Sequence, residues 1–232
     1  IAGSPGVPRA GMQAIPQQLA TQLPSGSIHL NVTAQAVAST MVRTDQGDIR
    51  CRSVVIATNA RSAALLIPSL KVPSSNAVTT WYHLADCAGS ELTEGKSTLV
   101  IDGKKFNGPL DDPSRPLVNT VVMTNSAPSY ATNDRTLISS SALGVHPSAQ
   151  SEQQVRSHLA ALYKVPTSNW THVATYPIPD ALPMMSAPHD VDQSVRLSDG
   201  VYIAGDYRQV SSINGALASG RRSAEALLTD DL

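Results

Sequence analysis

Charge is scarce in this 232-residue chain. Asp, Glu, Lys and Arg make up 15% of it, below the roughly 25% of an average soluble domain. The formal net charge is only −1, which gives no electrostatic footprint for nucleic acid or an anionic membrane. Long apolar runs are missing too, since none approaches the roughly 20 residues of a membrane helix. Only two cysteines are present, Cys51 and Cys87, far apart and in no CxxC pattern. They imply neither a disulfide framework nor a zinc site, and a reducing cytoplasm is the expected compartment.

The histidines His29, His83, His146, His158, His172 and His189 show no HxxxH or HExxH spacing, which argues against a metal centre. GxSxG is absent, which weakens a serine-hydrolase reading. GxGxxG is absent as well: Gly3, Gly6 and Gly11 lack its spacing and no strand precedes them. The first residue is Ile1 and no signal segment opens the chain. The stretch from Ile1 to Pro8 reads as a loop in mid-course, so a fragment is expected.

The length is sufficient for one large domain or two small ones with a real core. After Gly11-Met12 a short helix is expected from Gln17 to Leu23, with Pro16 in its first turn. Ile28, Leu30 and Val32 alternate with polar residues, as in a half-buried strand. Val37 to Arg43 and Ile49 to Arg52 read as two more strands, turned by Asp45-Gln-Gly47. Val54 to Ala57 is continuously apolar, the pattern of a parallel strand buried on both faces. It leads through Thr58 into a brief helix ending at Pro68.

From about Pro68 the texture changes. Ala77 to Leu84, Thr98 to Ile101, Leu117 to Met123 and Thr136 to Ser140 read as strands between Gly, Pro, Asn and Asp clusters. Ser151 to Tyr163 reads as a helix capped by Ser151, with Val155, Leu159 and Leu162 on its apolar face. Grouped strands with one helix imply a mixed sheet covered on one side. The stretch from Thr175 to Pro188 holds four prolines and reads as an extended connection. Gly89 and Gly95-Lys-Ser97 approach a phosphate-binding loop, but the glycines stand one residue too far apart and a strand follows. A turn with a solvent lysine is the better reading. Asn31 and Asn169 begin glycosylation sequons, which matter only on a secreted chain.

The chain is organised around its last 30 or so residues. Val201 to Ala204 is a short β-prone run stopped by Gly205, and Asp206 sets a carboxylate at the strand's carboxyl end. Ser211, Ser212 and Asn214 can each cap the helix that follows. Along it Ala216, Gly220 and Ala224 recur at four-residue spacing, a face open to close approach by a backbone or a flat ligand. Strand, acidic turn and helix N-terminus suit a ligand. The plainer reading is an ordinary α/β protein that ends in a strand and a small-faced helix.

Ala204-Gly-Asp206 followed by Ser212-Ile-Asn-Gly-Ala-Leu-Ala-Ser-Gly220 resembles the C-terminal FAD motif of flavin-containing amine oxidases. Their relatives include protoporphyrinogen oxidases and phytoene-desaturase-like enzymes. Gly11-Met12, the meander and Val54 to Thr58 also match the family's order. The resemblance implies an α/β fold: a partial Rossmann-like FAD-binding domain without its GxGxxG unit, plus a mixed-sheet (α+β) substrate domain. Residues 1–66 and 189–232 would form the FAD-binding part and residues 67–188 the substrate domain. It implies a non-covalent FAD, since neither cysteine lies near the motif, with binding by this chain alone poor or absent.

Cofactor contacts implied by the resemblance are Ala34, Ala57, Thr58, Gly205, Asp206, Ser212, Ile213 and Asn214. Ala34 replaces a usual valine at a main-chain contact to adenine. Thr80 falls where amine oxidases carry a lysine, and Ser212 falls near an aromatic cage position. Both departures argue against amines. An apolar substrate is expected instead, with Ile178, Ala181, Leu182, Met184 and Met185 as candidate lining. No catalytic acid or base is visible. The expected parent activity is hydride transfer to the flavin. The alternative is a non-catalytic substrate-domain module or subunit that binds no FAD by itself. A missing N-terminal FAD-binding part or a second copy of the chain would be its partner.

Overall fold

The computed structural model describes residues 6–106, 112–131 and 135–230. The loop expected over Ile1 to Pro8 is therefore described only from Gly6 onward. In chain order the elements are α1 (Ala14–Ala20), β1 (Ala34–Ala38), β2 (Met41–Thr44), β3 (Gly47–Arg50), β4 (Val54–Ile56) and α2 (Ala60–Leu66). Then come β5 (Ser75–Ala85), α3 (Gly89–Thr93), β6 (Leu99–Ile101), α4 (Gly103–Phe106), β7 (Asn119–Val122), α5 (Met123–Ser126) and β8 (Thr136–Leu143). The last are α6 (Ala149–Tyr163), β9 (Thr171–Pro183), β10 (Arg196–Ser198), β11 (Val201–Ile203) and α7 (Ile213–Asp230). The chain divides into two compact units, one of residues 1–27 with 77–179 and the other of residues 28–76 with 180–232.

The first unit is built on a sheet in the order β6-β7-β8-β5-β9. The β6–β7, β7–β8 and β5–β8 pairs are antiparallel. Its strands alternate cleanly. Thr79, Trp81, His83 and Ala85 of β5 are buried, as are Thr136, Ile138, Ser140 and Ala142 of β8. That face meets Val155, Leu159 and Tyr163 of α6 in one core with Trp170. Thr80, Tyr82 and Leu84 point the other way and remain half-buried. β9 carries Pro177, Pro179 and Pro183, and it sits at the sheet edge, where a missing N–H costs least.

Beneath α6 lies a charged knot that the spacing of the histidines gives no hint of. Asp102 is 2% exposed and takes both arms of Arg115, Nε at 2.8 Å and Nη2 at 2.5 Å. His158 Nδ1 accepts the Leu117 N–H, so Nε2 carries the proton and donates to Asp102 at 2.9 Å. A second buried histidine, His83, bonds Glu152 at 2.9 Å, and Glu152 also accepts from Arg156. In both clusters the histidine is buried in the core, while Arg115, Glu152 and Arg156 reach the rim at 19 to 23% exposure, and both serve the fold.

The second unit holds a meander, β1-β2-β3, and a sheet in the order β10-β11-β4. β4 and β11 run parallel, with Val54 opposite Val201, Val55 opposite Tyr202 and Ile56 opposite Ile203. The two apolar runs expected to share a sheet do so. β4 is not buried on both faces, however: Val54 and Ile56 are buried but Val55 is 40% exposed. β4 is an edge strand of this sheet, so only one of its faces is covered by this unit's core.

Other elements shift by a few residues. Ile28 and Leu30 are exposed at 50% and 77%, in irregular chain, and β1 starts only at Ala34, where pairing with Thr44 begins. Alternation without a paired neighbour does not make a strand. The run Val37 to Arg43 is broken by a turn at Ser39-Thr40, giving β1 and β2 in place of one strand. α1 begins three residues earlier than expected. α6 is capped by Ser148, whose Oγ accepts the Ser151 N–H, not by Ser151 itself. Lys96 pairs with Glu94 in an exposed turn, the solvent-lysine reading of the near-phosphate loop.

Candidate functional site

Parallel pairing sets the carboxyl ends of β4 and β11 side by side. The Ala204 N–H donates to the Ile56 carbonyl at 2.9 Å, so Ala57-Thr58 and Gly205-Asp206 leave the sheet together. Beyond them α2 starts at Ala60, capped by Asn59, whose side chain accepts the Ser62 N–H at 2.8 Å. Asn59, Ala60, Arg61, Ser75, Asp180, Ala181, Pro183 and Asp206 enclose a cavity of about 190 Å³. Arg61 grips Asp180 with Nε at 2.7 Å and Nη2 at 3.0 Å. This bond raises the Arg61 pKa and lowers that of Asp180. Burial pushes the Asp206 carboxyl above its usual range, against the pull of neighbouring backbone N–H groups.

Gly205 has a steric reason to be glycine. A Cβ there would come within 2.2 Å of the Tyr207 ring, which is 1% exposed and cannot swing away. The buried Tyr207 hydroxyl has no partner among the described residues, and burial pushes its pKa up to about 12. From this turn the chain reaches α7. Ser212 is its cap: Oγ accepts the Gly215 N–H at 3.0 Å. Ile213 and Asn214 therefore occupy the first turn, where backbone N–H groups have no intrahelical acceptor.

The close face of α7 is not the one expected from Ala216, Gly220 and Ala224. Ala216 and Ala224 are exposed, and nothing lies near Gly220. The buried residues are Gly215, Ser219 and Ser223, one position earlier at each step. A Cβ on Gly215 would meet the Val210 carbonyl oxygen at 1.8 Å. Ser223 Oγ donates to the Ile203 carbonyl at 2.7 Å. Ser219 Oγ donates to the Gly205 carbonyl at 2.8 Å and accepts its N–H at 2.9 Å. The hydroxyls bond helix to strand, which apolar alanines cannot do, and this selects the face.

In the first unit the open side of the sheet forms a larger hollow, about 680 Å³, within the range of small-molecule sites. Thr80, Tyr82 and Leu84 of β5 and Leu137 of β8 line it, with Tyr176 and Ile178 of β9. Tyr82 and Tyr176 meet edge to face, centroids 5.9 Å apart. Tyr130 and Arg135 also contribute. Of the apolar lining expected from sequence only Ile178 is found here. Ala181 lines the smaller cavity, and Leu182, Met184 and Met185 are 39 to 43% exposed. Thr80 was singled out in the sequence, and the period-two pattern of β5 carries Tyr82 and Leu84 with it. Arg61 and Asp180 gave no signal, lying more than a hundred residues apart.

Comparison with known proteins fits this geometry. The sequence profile of the flavin containing amine oxidoreductases matches residues 2–228. The chain belongs to this family. Its fold is shared by three solved structures. A protein of Exiguobacterium sp. 255-15, provisionally assigned as a protoporphyrinogen oxidase, is 16% identical with a TM-score of 0.73, over 94% of this chain and 51% of that one. An oxidoreductase from Methanosarcina mazei is 14% identical with a TM-score of 0.65, over 94% and 54%. A reduced UDP-galactopyranose mutase is 12% identical with a TM-score of 0.63, over 94% and 52%. The chain spans about half the length of these structures. No curated protein sequence matches it.

For a flavin containing amine oxidoreductase the cofactor is a flavin, and the residues of the second unit fit one end of it. Asp206 presents a carboxylate to a cavity, Gly205 keeps the turn free of side chain, and α7 offers free N–H groups at its N-terminus. Of the eight implied cofactor contacts only Asp206 lines the cavity; Ala57, Thr58, Gly205, Ser212, Ile213 and Asn214 do not, and Ala34 lies on β1 of the meander. Among the described residues no cluster could hold a metal ion, and no helix is long and apolar enough to cross a membrane.

Proposed function

We propose that the chain carries the C-terminal portion of an FAD-dependent oxidoreductase that takes a hydride from an apolar substrate. The observation that carries this is the parallel β4–β11 pair, which presents Ala57-Thr58 and Gly205-Asp206 together at the carboxyl ends of the two strands. Residues 1–66 and 189–232 would supply the flavin-binding part and residues 67–188 the substrate domain. Asp206 would accept hydrogen bonds from cofactor hydroxyls. The N–H groups of Ile213 and Asn214, at the positive end of α7, would favour negative charge gained on reduction. Ala34 would meet the adenine through its main chain. The flavin, when bound, supplies the two-electron chemistry; the protein binds and orients it.

The residues of this sequence include no GxGxxG loop, and the pyrophosphate holds most of the cofactor's charge. Loss of three charge-assisted contacts, each roughly 1.5–3 kcal/mol, weakens binding at least about a thousandfold. Calorimetric titration of the purified chain with FAD tests the assignment. Expected is binding weaker than micromolar that Asp206→Ala removes. Micromolar or tighter binding by a monomer refutes the reading that this chain holds only part of the cofactor site. No heat at millimolar FAD favours the second reading, a substrate-domain module without flavin of its own, for which the missing loop speaks.

A further inference from the structure

We infer that the hollow on the open sheet face of the first unit takes an amphiphilic carboxylate, an apolar body whose acid group is held by Arg135. This rests on the assignment of residues 67–188 as the substrate domain. Its floor is apolar and aromatic: Leu84, Leu137, Val173 and Ile178, with the Tyr82 and Tyr176 rings in edge-to-face contact. At about 680 Å³ it holds a body well beyond a simple metabolite. The sheet's other face is filled by α6, so this hollow is not a packing defect of the core.

Charge decides the class of ligand. Among the described residues Arg135, itself exposed, is the one charged side chain lining the hollow, and none of them sets a carboxylate against it there. Its protein partner among the described residues is the Thr171 hydroxyl, at 3.3 Å from Nη2. A guanidinium carries five N–H donors in a planar fork that matches a carboxylate edge on. Most of that fork is unused. A cationic amine entering the same hollow would meet a positive charge and, among the described residues, no counter-ion, so this lining selects against the ammonium group. A neutral apolar ligand would fit the floor but leave the fork in water. The acid group satisfies both parts.

The test uses the whole chain without added flavin and three ligands of one length: dodecanoate, 1-dodecanol and 1-dodecylamine, below their aggregation limits, by calorimetry. Expected is dodecanoate binding at least tenfold tighter than the alcohol, with the amine weakest. Arg135→Gln should bring the acid down to the affinity of the alcohol and leave the alcohol unchanged, which also reports an intact fold. Arg135→Lys should keep a preference for the acid. The inference falls if the amine binds as well as the acid. It falls equally if Arg135→Gln keeps the preference or loses acid and alcohol alike. Because no flavin is present, acid binding beside a failed FAD titration would favour the module without flavin of its own and leave this site standing.

Discussion

The two units solve one problem, sealing a helix onto a sheet, in opposite ways. In the first, α6 meets the sheet through bulk: Trp81, Leu159 and Ile138 are fully buried and a charged knot is closed beneath them. In the second, α7 meets β11 through an absence of side chain. Ser219 and Ser223 bring the helix so close that their hydroxyls reach the Gly205 and Ile203 carbonyls, and Gly215 seats its first turn on the Val210 backbone. Bulk relaxes partially when trimmed, whereas a backbone seam has nothing to rearrange.

Substitutions sharpen that contrast. The largest loss is expected from Asp102→Ala, which leaves the Arg115 and His158 donors facing an empty carboxylate site. About 3–5 kcal/mol is the usual cost of such a half-removed buried pair, read from urea unfolding. Gly215→Ala comes next, at about 2–3 kcal/mol, because the added methyl collides with a backbone oxygen and not with a movable side chain. If Gly215→Ala proves neutral, the Val210 backbone against α7 gives way and the close packing of this helix is not rigid. Ser223→Ala removes one hydrogen bond from strand to helix and should cost about 1 kcal/mol in the same assay.

Acid should separate the units as well. In the first, burial pushes the His83 pKa below 6.5, against the pull of Glu152 and with Arg156 and His172 adding to the fall. The folded chain then binds fewer protons than the unfolded one just below pH 6.5, so stability is lost as pH falls through that value. Glu152, despite its burial, is held below 4.5 by bonds from His83 and Arg156, and adds a loss below that pH. In the second unit Asp206 is raised above 3.8, so its cost at neutral pH is relieved as pH falls toward 3.8. Asp180, lowered by Arg61, opposes this only below 3.8. A His83→Gln variant should flatten the fall in stability just below pH 6.5 relative to the parent, measured by thermal unfolding. The smallest effect is Lys164→Gly, which relieves a left-handed residue at the end of α6 and should stabilise by a few tenths of a kcal/mol.

Sequence showed the seam's existence but misplaced it. Counting small apolar residues along α7 favours Ala216, Gly220 and Ala224, because serine is scored as a polar, outward residue. Inside, a serine hydroxyl that finds a strand carbonyl is the better fit, and only the neighbouring strand reveals that. The β4–β11 pair was legible because both runs are apolar and end in a turn. The Ile28 to Val32 alternation misled because no strand lies alongside to pair with it. The Gly205-Asp206 turn was legible from local pattern. Arg61 with Asp180, and Arg135 in its hollow, were not, since each depends on chain segments that only folding brings together.

The parallel pairing of β4 with β11 also bears on how the molecule is made. These strands lie about 145 residues apart, so their ladder closes only after everything between them has left the ribosome. The intervening residues 77–179 form most of the first unit and can condense while synthesis continues. Val54 and Ile56 meanwhile wait without their neighbour, a sticky apolar segment in a half-born chain. Such a nested order makes folding slow for the outer unit and early for the inner one. Chaperone capture of nascent chains should therefore peak before Val201 emerges and drop once α7 is complete.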